Sequence, residues 1–209
     1  MIQLTQVKKA IREATKALEE NKQNLNKLDA AIGDGDHGRS ISRAFRGMVD
    51  ELDNSNAKDI GSLLQEAGKQ IVFSSGAAAG PLYGTAFMEA GKAIEDKKEI
   101  DLNDLANMFS AAEEGVKKRG GGKVGEKTML DTIDPARQAI EKAAKDKLEI
   151  QDALEKTIKA AKEGRDSTRE MISERGRSSR LGERTKGHID PGAASAFIII
   201  EKMFYSCEH

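Results

Sequence analysis

The chain has 209 residues, with 34 basic and 35 acidic side chains and a formal net charge of −1. A chain so close to neutral, without a basic block, is not expected to bind nucleic acid as its main partner. A hydrophobic content of 38% allows a packed core, and a single cysteine, Cys207, excludes an internal disulfide and a cysteine-rich zinc site. No apolar run is long enough to span a bilayer, and the first residues are amphipathic rather than signal-like, so we expect a cytoplasmic protein without a membrane segment.

Apolar residues recur at helical spacing along nearly the whole chain. Ile60, Leu64 and Ile71, for example, fall on one face of a helix. Only 4% of the residues are aromatic, and no convincing run of alternating β-branched residues appears. We therefore predict an all-α fold, with short connections between antiparallel helices of a bundle, as one domain over residues 1–209. The eight predicted helices cover 2–26, 38–52, 59–74, 81–95, 102–118, 128–145, 150–172 and 191–206.

Two dipeptides, Asp134-Pro135 and Asp190-Pro191, each precede a residue pattern typical of a helix. An aspartate followed by proline is a frequent helix start, because the carboxylate caps free N–H groups and proline has a preset φ. Asp134 and Asp190 are therefore candidate N-caps, a role that needs no function.

The segment 29–38 contains three carboxylates and an imidazole between glycines. Asp34 and Asp36 are two residues apart, so in an extended backbone both side chains point the same way, and Asp29 reaches them from the preceding helix. Carboxylate oxygens are the ligands that Mg²⁺ and Ca²⁺ prefer. An EF-hand is excluded because the required Glu is replaced by Phe45 or Ser40, depending on the register. The pattern favours Mg²⁺ that takes its other ligands from phosphate and water; the alternative is a polar turn with capping aspartates only.

Three further features could contribute to a phosphate site. The helix that begins near Gly38 would offer its N–H groups, and the small side chains of 74–81 would let the backbone approach a ligand or a neighbouring helix. The segment 176–192 carries four cations, and Arg is well suited to phosphate oxygens, although a charged surface loop is the alternative.

The run 120–125 fits G-x-G-x-x-G, but a charged helix precedes it where the dinucleotide motif requires a strand. It also resembles a Walker P-loop, yet Glu126 separates Gly125 from Lys127-Thr128. Both sheet-based folds are therefore excluded, and a Gly-rich flap over a ligand remains.

Five motifs appear in order along the chain: LDAAIGDGDHG at 28–38, GPLYG at 80–84, GEKTM at 125–129, LGER at 181–184 and GHIDPGA at 187–193. In these motifs the chain resembles the family of ADP-binding L subunits of bacterial, phosphotransferase-linked dihydroxyacetone kinases. The resemblance covers essentially the whole sequence. It implies an eight-helix antiparallel barrel with the nucleotide at one end.

The same resemblance implies a role for individual residues. Asp29, Asp34 and Asp36 match aspartates that hold two Mg²⁺ ions in the family. The residues that it assigns to ADP or ATP are His37, Gly38, Arg39, Ser40, Ala78, Ala79, Gly120, Met129, Arg177, Asp190, Pro191 and Gly192. No further catalytic side chain is assigned.

The implied function is a phosphate relay. Bound ADP would take phosphate from a phosphohistidine donor subunit, and the resulting ATP would phosphorylate dihydroxyacetone held on a separate kinase subunit. One alternative is an ATP-dependent kinase partner for another short ketose. Another is a regulatory module that binds a transcription regulator according to its nucleotide state, and a plain helical scaffold is the simplest reading.

Overall fold

The structure, a computed structural model, describes residues 1–52, 54–75 and 79–207. Within these ranges two strands are present, β1 (Ile2–Gln3) and β2 (Glu99–Ile100), and they pair antiparallel. Two 3₁₀ segments, Thr168–Glu170 and Ser178–Thr185, lie in the last long connection. The α-helices of the described residues are α1 (Leu4–Glu20), α2 (Lys22–Ile32), α3 (His37–Leu52), α4 (Ile60–Ser74), α5 (Ala79–Lys92), α6 (Leu102–Gly120), α7 (Leu130–Lys145), α8 (Ile150–Ser167) and α9 (Pro191–Cys207).

The helices close into a barrel. From α3 onward each helix packs against the next along the chain, and α1 packs against both α3 and α9, which closes the ring. α2 follows α1 after a single residue and also lies between α3 and α9, so α1 and α2 together form one wall. The prediction of an all-α, eight-membered antiparallel barrel is confirmed.

The predicted first helix, 2–26, is wrong in detail. Residues 2–3 form a strand, and the helix bends at Asn21, whose side-chain amide donates to the carbonyl of Ala17 at 2.9 Å. The bend directs α2 against the start of α3, where a Cβ on Gly38 would lie 2.1 Å from the carbonyl oxygen of Lys22. The predicted helix 150–172 is also too long, because α8 ends at Ser167 and a 3₁₀ turn follows.

Asp134 is not a helix cap. α7 already begins at Leu130, and the Asp134 carboxylate accepts from Arg137 at 2.8 Å. Pro135 has no N–H to donate to the carbonyl of Asp131. That carbonyl faces Gly164 of α8, where an added Cβ would lie only 2.2 Å from its oxygen. The proline therefore lies inside the helix at a point of close contact between α7 and α8.

The apolar faces of the helices fill the barrel. Phe45 is fully buried, and the rings of Tyr83 and Phe87 meet it edge-on at centroid distances of 6.0 and 5.8 Å. α4 and α5 approach closely through glycines, because a Cβ on Gly68 would lie 2.5 Å from the carbonyl oxygen of Gly84. An apolar cavity of about 140 Å³ remains in the barrel toward the end that holds both strands. No helix of the described residues is long and apolar enough to cross a membrane.

Candidate functional site: an acidic pocket at one end of the barrel

The three predicted aspartates meet at the turn between α2 and α3. Ligand oxygens of Asp29, Asp34 and Asp36 all lie within 4.8 Å of one another. Asp29 and Asp36 are partly buried, and Asp34 is exposed. Three carboxylates this close repel one another unless a cation lies among them, and oxygen ligands are those that Mg²⁺ prefers, so these residues fit a magnesium site.

Asp29 has a second role that the sequence did not predict. Its Oδ2 accepts hydrogen bonds from the backbone N–H groups of Asp36, at 2.8 Å, and His37, at 3.1 Å. The carboxylate thus caps α3 from the preceding helix and is held beside the other two aspartates. The turn needs glycine: a Cβ on Gly33 would lie 2.3 Å from Asp29 Oδ1, and Gly35 has a φ of +76°.

The first turn of α3 is held firmly against α2. Gly38 is buried at the close contact with Lys22, and the backbone N–H of Arg39 donates to Asn26 Oδ1 at 3.1 Å. Ser40 is buried, whereas the Arg39 side chain is exposed. The helix start that the sequence predicted as a phosphate site is therefore a rigid element next to the acidic cluster.

A polar chain runs from this turn, where His37 is half-buried, into the core of the barrel. His37 Nε2 lies 2.8 Å from Ser195 Oγ, which lies 2.7 Å from Tyr83 Oη, and both hydroxyls are within 3.1 Å of the carbonyl oxygen of Gly192. Burial lowers the pKa of His37 to about 4, so the imidazole is neutral at pH 7. Burial also raises the pKa of Tyr83, so its hydroxyl keeps its proton. Sequence reasoning missed Tyr83 and Ser195; the available signal was a tyrosine within an apolar helix, since a buried Tyr needs a partner.

Asp190 caps α9, which confirms its predicted structural role. Its Oδ2 accepts from the N–H of Ala193 at 2.7 Å, and its own N–H donates to Thr168 Oγ1 at 3.1 Å. Pro191 is the first helical residue. Burial raises the pKa of Asp190 to about 7. Met129 lies beside Gly192, because a Cβ there would be 3.6 Å from the Met129 nitrogen.

A pocket of about 180 Å³ opens at the acidic cluster. Arg177, from the long connection before α9, reaches the pocket and forms an ion pair with Asp34, both side chains being exposed. Ser178, which was not predicted, also lines it. The predicted residues that line the pocket are Asp29, Asp34, Asp36, His37, Ser40, Ala79, Arg177 and Pro191.

The other predicted residues lie around the pocket or away from it. Gly38 and Arg39 continue the first turn of α3. Asp190 and Gly192 lie at the start of α9, and Met129, which directly precedes α7, lies beside Gly192. Gly120 ends α6, where a Cβ would lie 3.1 Å from the Leu82 side chain of α5. Ala78 lies outside the described residues.

Fold and pocket together define an all-α barrel that carries an oxygen-rich, acidic site at one end. Residues 31–205 match the DAK2 domain, and the chain belongs to this family. The ADP-binding subunit DhaL of PEP-dependent dihydroxyacetone kinase 1 from Listeria innocua is 37% identical over 186 residues, covering 89% of this chain and 88% of the relative. The corresponding DhaL subunit from Escherichia coli is 37% identical over 179 residues, covering 86% and 85%.

A solved structure has the same fold. The dihydroxyacetone kinase of C. freundii, determined in complex with AMP-PNP and Mg²⁺, superposes with a TM-score of 0.71 at 23% identity, covering 96% of this chain and 33% of that one. The family predicted from five motifs is thus confirmed, and so is the predicted phosphotransferase class, since the relatives are named as kinase subunits.

Proposed function

We propose that this chain is the nucleotide-binding subunit of a dihydroxyacetone kinase and acts as one nucleotide-binding domain. The observation that carries the proposal is the convergence of Asp29, Asp34 and Asp36 beside the start of α3, with Arg177 across the same pocket. The names of the DhaL relatives and the likeness to a kinase solved with AMP-PNP and Mg²⁺ support a nucleotide with magnesium. We extend this to two Mg²⁺ ions held by the three aspartates.

When bound, Mg²⁺ would neutralise phosphate charge. The nucleotide would carry the phosphoryl group from a phosphohistidine of a donor protein to dihydroxyacetone. The chain's own residues hold the reactants. The aspartates provide oxygen ligands, the first turn of α3 borders the phosphates, and the guanidinium of Arg177 provides a fork that suits phosphate oxygens. Because Arg177 pairs with Asp34 in the structure, its guanidinium must leave that carboxylate when a cation binds there.

The donor and the sugar substrate would bind on other proteins. The His37 ring is hydrogen-bonded to Ser195 inside the barrel, so this histidine is poorly suited to carry phosphate. We therefore propose that a dihydroxyacetone-binding kinase subunit and a phosphohistidine donor subunit use the pocket end of the barrel in turn. Exchange between two partners favours a modest polar interface. Such an interface could use the exposed cations Arg180, Arg184 and Lys186, which follow Arg177 in the connection before α9.

The metal assignment is tested with Asp36→Asn, using Asp50→Asn as the control because Asp50 is an exposed aspartate farther along α3. Titration calorimetry with ADP and Mg²⁺ should give no binding for Asp36→Asn and wild-type binding for Asp50→Asn. The metal-free variant should be no less stable than the wild type, because the substitution relieves repulsion in the cluster. Wild-type affinity in Asp36→Asn would refute the assignment.

Nucleotide binding is also tested by stability. A ligand that binds only the folded state stabilises it by about 4 kcal/mol at a thousand-fold excess over Kd. Saturating ADP and Mg²⁺ should therefore raise the melting temperature strongly, and an unchanged melting curve would contradict the site.

Reconstitution tests the relay. The chain alone should not phosphorylate dihydroxyacetone with any nucleotide, and turnover should require both the substrate subunit and the phosphohistidine donor. Turnover with ATP and the substrate subunit, but no donor, would favour the ATP-dependent alternative. Binding to a transcription regulator without phosphate flux would favour the regulatory module.

A further inference from the structure

Lys127 is a buried cation for which the proposed function has no use. Its side chain is 1% exposed, and it follows Glu126 in the glycine-rich connection between α6 and α7. Its φ of +60° is uncommon for a residue with a side chain. The ammonium nitrogen donates to the carbonyl oxygens of Thr168 and His188, each at 2.5 Å, and to that of Met171 at 3.3 Å. An ammonium has three donors, and all three are used.

All three acceptors belong to one segment, residues 168–190, which links α8 to α9. The segment has only 3₁₀ turns as regular structure and folds largely on itself: the N–H of Gly187 donates to Arg169 O at 2.7 Å, and the N–H of Ser173 donates to Thr185 Oγ1 at 2.9 Å. Lys127 attaches both ends of this segment, near 168–171 and at 188, to the start of α7. Glu126 adds a contact to the middle, because its carbonyl accepts from the N–H of Glu174 at 3.2 Å.

The same segment carries two of the residues assigned to the nucleotide. Arg177 lines the acidic pocket from its middle, and Asp190 caps α9 at its end. The carboxylates of Asp190 and Asp131 attract the buried ammonium, which opposes the desolvation that lowers the pKa of Lys127. The cation thus holds both ends of the connection that brings Arg177 to the pocket.

We propose that Lys127 is a positioning residue that holds the 168–190 segment in its nucleotide-binding arrangement through three carbonyl contacts. The inference rests on the nucleotide site proposed above. Lys127 makes no contact with the acidic cluster of Asp29, Asp34 and Asp36, which is formed between α2 and α3. Losing the ammonium therefore releases the Arg177 side of the pocket and leaves the metal side intact.

The test separates these two sides with two probes. Binding of Mn²⁺ alone, followed by its electron paramagnetic resonance signal, reports on the aspartates, and calorimetry with ADP and Mg²⁺ reports on the whole pocket. Lys127→Met should retain Mn²⁺ affinity within twofold, weaken ADP binding at least tenfold, and increase hydrogen–deuterium exchange across 168–190. In the reconstituted system, KM for the nucleotide should rise while kcat at saturation stays within about twofold.

Two controls and a second variant keep the result decisive. Lys156→Met removes an exposed lysine of α8 and should change nothing, while Arg137→Met destabilises the barrel through a different network and should keep both affinities. If Lys127→Met does not fold, Thr185→Val loosens the same segment by removing the hydroxyl that binds Ser173.

ADP binding unchanged in a variant whose 168–190 segment exchanges faster would overturn the proposal, and so would equal loss of Mn²⁺ and ADP binding. Failure of the wild-type chain to bind ADP at all would refute the nucleotide site itself, and the exchange data alone would then show whether Lys127 holds the segment.

Discussion

Replacing Ser195 by alanine removes the hydroxyl at which His37 and Tyr83 meet inside the barrel. The polar hydrogens of these three side chains can all be used at once. His37 and Tyr83 donate to Ser195 Oγ, and Ser195 donates to the carbonyl oxygen of Gly192, 3.1 Å away. In Ser195→Ala the Tyr83 hydroxyl keeps a partner, because Gly192 O lies 3.0 Å from it. The His37 ring nitrogen loses its partner in a site that burial keeps neutral.

The expected magnitude follows from that difference. A buried polar group left without a partner costs about 2 kcal/mol, whereas loss of one hydrogen bond without an orphan costs about 1 kcal/mol. Ser195→Ala should therefore lower the free energy of unfolding by about 2 kcal/mol. Tyr83→Phe should lower it by about 1 kcal/mol, because Ser195 still has both Gly192 and His37.

Urea unfolding of the metal-free protein at pH 7 measures both effects. Ser206→Ala is the matched control on α9, since its hydroxyl only donates back to the carbonyl of Lys202 at 2.7 Å and its removal leaves no orphan. The control should change the stability by less than about 0.5 kcal/mol. A larger loss for Tyr83→Phe than for Ser195→Ala, or no loss for either, would show that the three side chains do not act as one chain.

Three further predictions concern stability and pH. Arg137→Met leaves the carboxylate of Glu113, 1% exposed, with Lys117 as its remaining cation and takes away the partner of Asp134, so it should cost about 2 kcal/mol in urea unfolding, part of which Glu113→Gln in the same chain restores. Asp190 has its pKa raised from 3.8 to about 7, so the folded protein binds the extra proton and its melting temperature should fall as pH rises between these values; Asp190→Asn should flatten that profile. Gly38→Ala puts a Cβ 2.1 Å from Lys22 O and should cost about 2 kcal/mol and weaken ADP binding, so an unchanged stability would contradict the close approach of α2 and α3.

The sequence by itself determined the helices and the acidic cluster, because both are local in the chain. Helical periodicity repeats within a few residues, and the three metal-binding candidates lie between 29 and 36 on either side of one turn. The five motifs added the family. The same local reasoning failed at Asp134-Pro135, a dipeptide typical of a helix start that lies inside α7. There Arg137 binds the Asp134 carboxylate, and Gly164 of α8 leaves room for the carbonyl of Asp131.

The tertiary structure decided which distant residues support that local cluster. Ser195 is 158 residues from His37 and 112 from Tyr83, and Lys127 is 41 to 61 residues from the carbonyls it binds. No spacing rule relates such pairs, since their contact depends on how helices far apart in sequence close into a ring. The bend at Asn21 is equally non-local in its effect, because its consequence is the contact between Lys22 and Gly38. A set of metal ligands can be encoded within one turn of the sequence. The polar side chains that support this turn come from distant helices, because a buried donor or acceptor must pair with whichever group the packed barrel brings next to it.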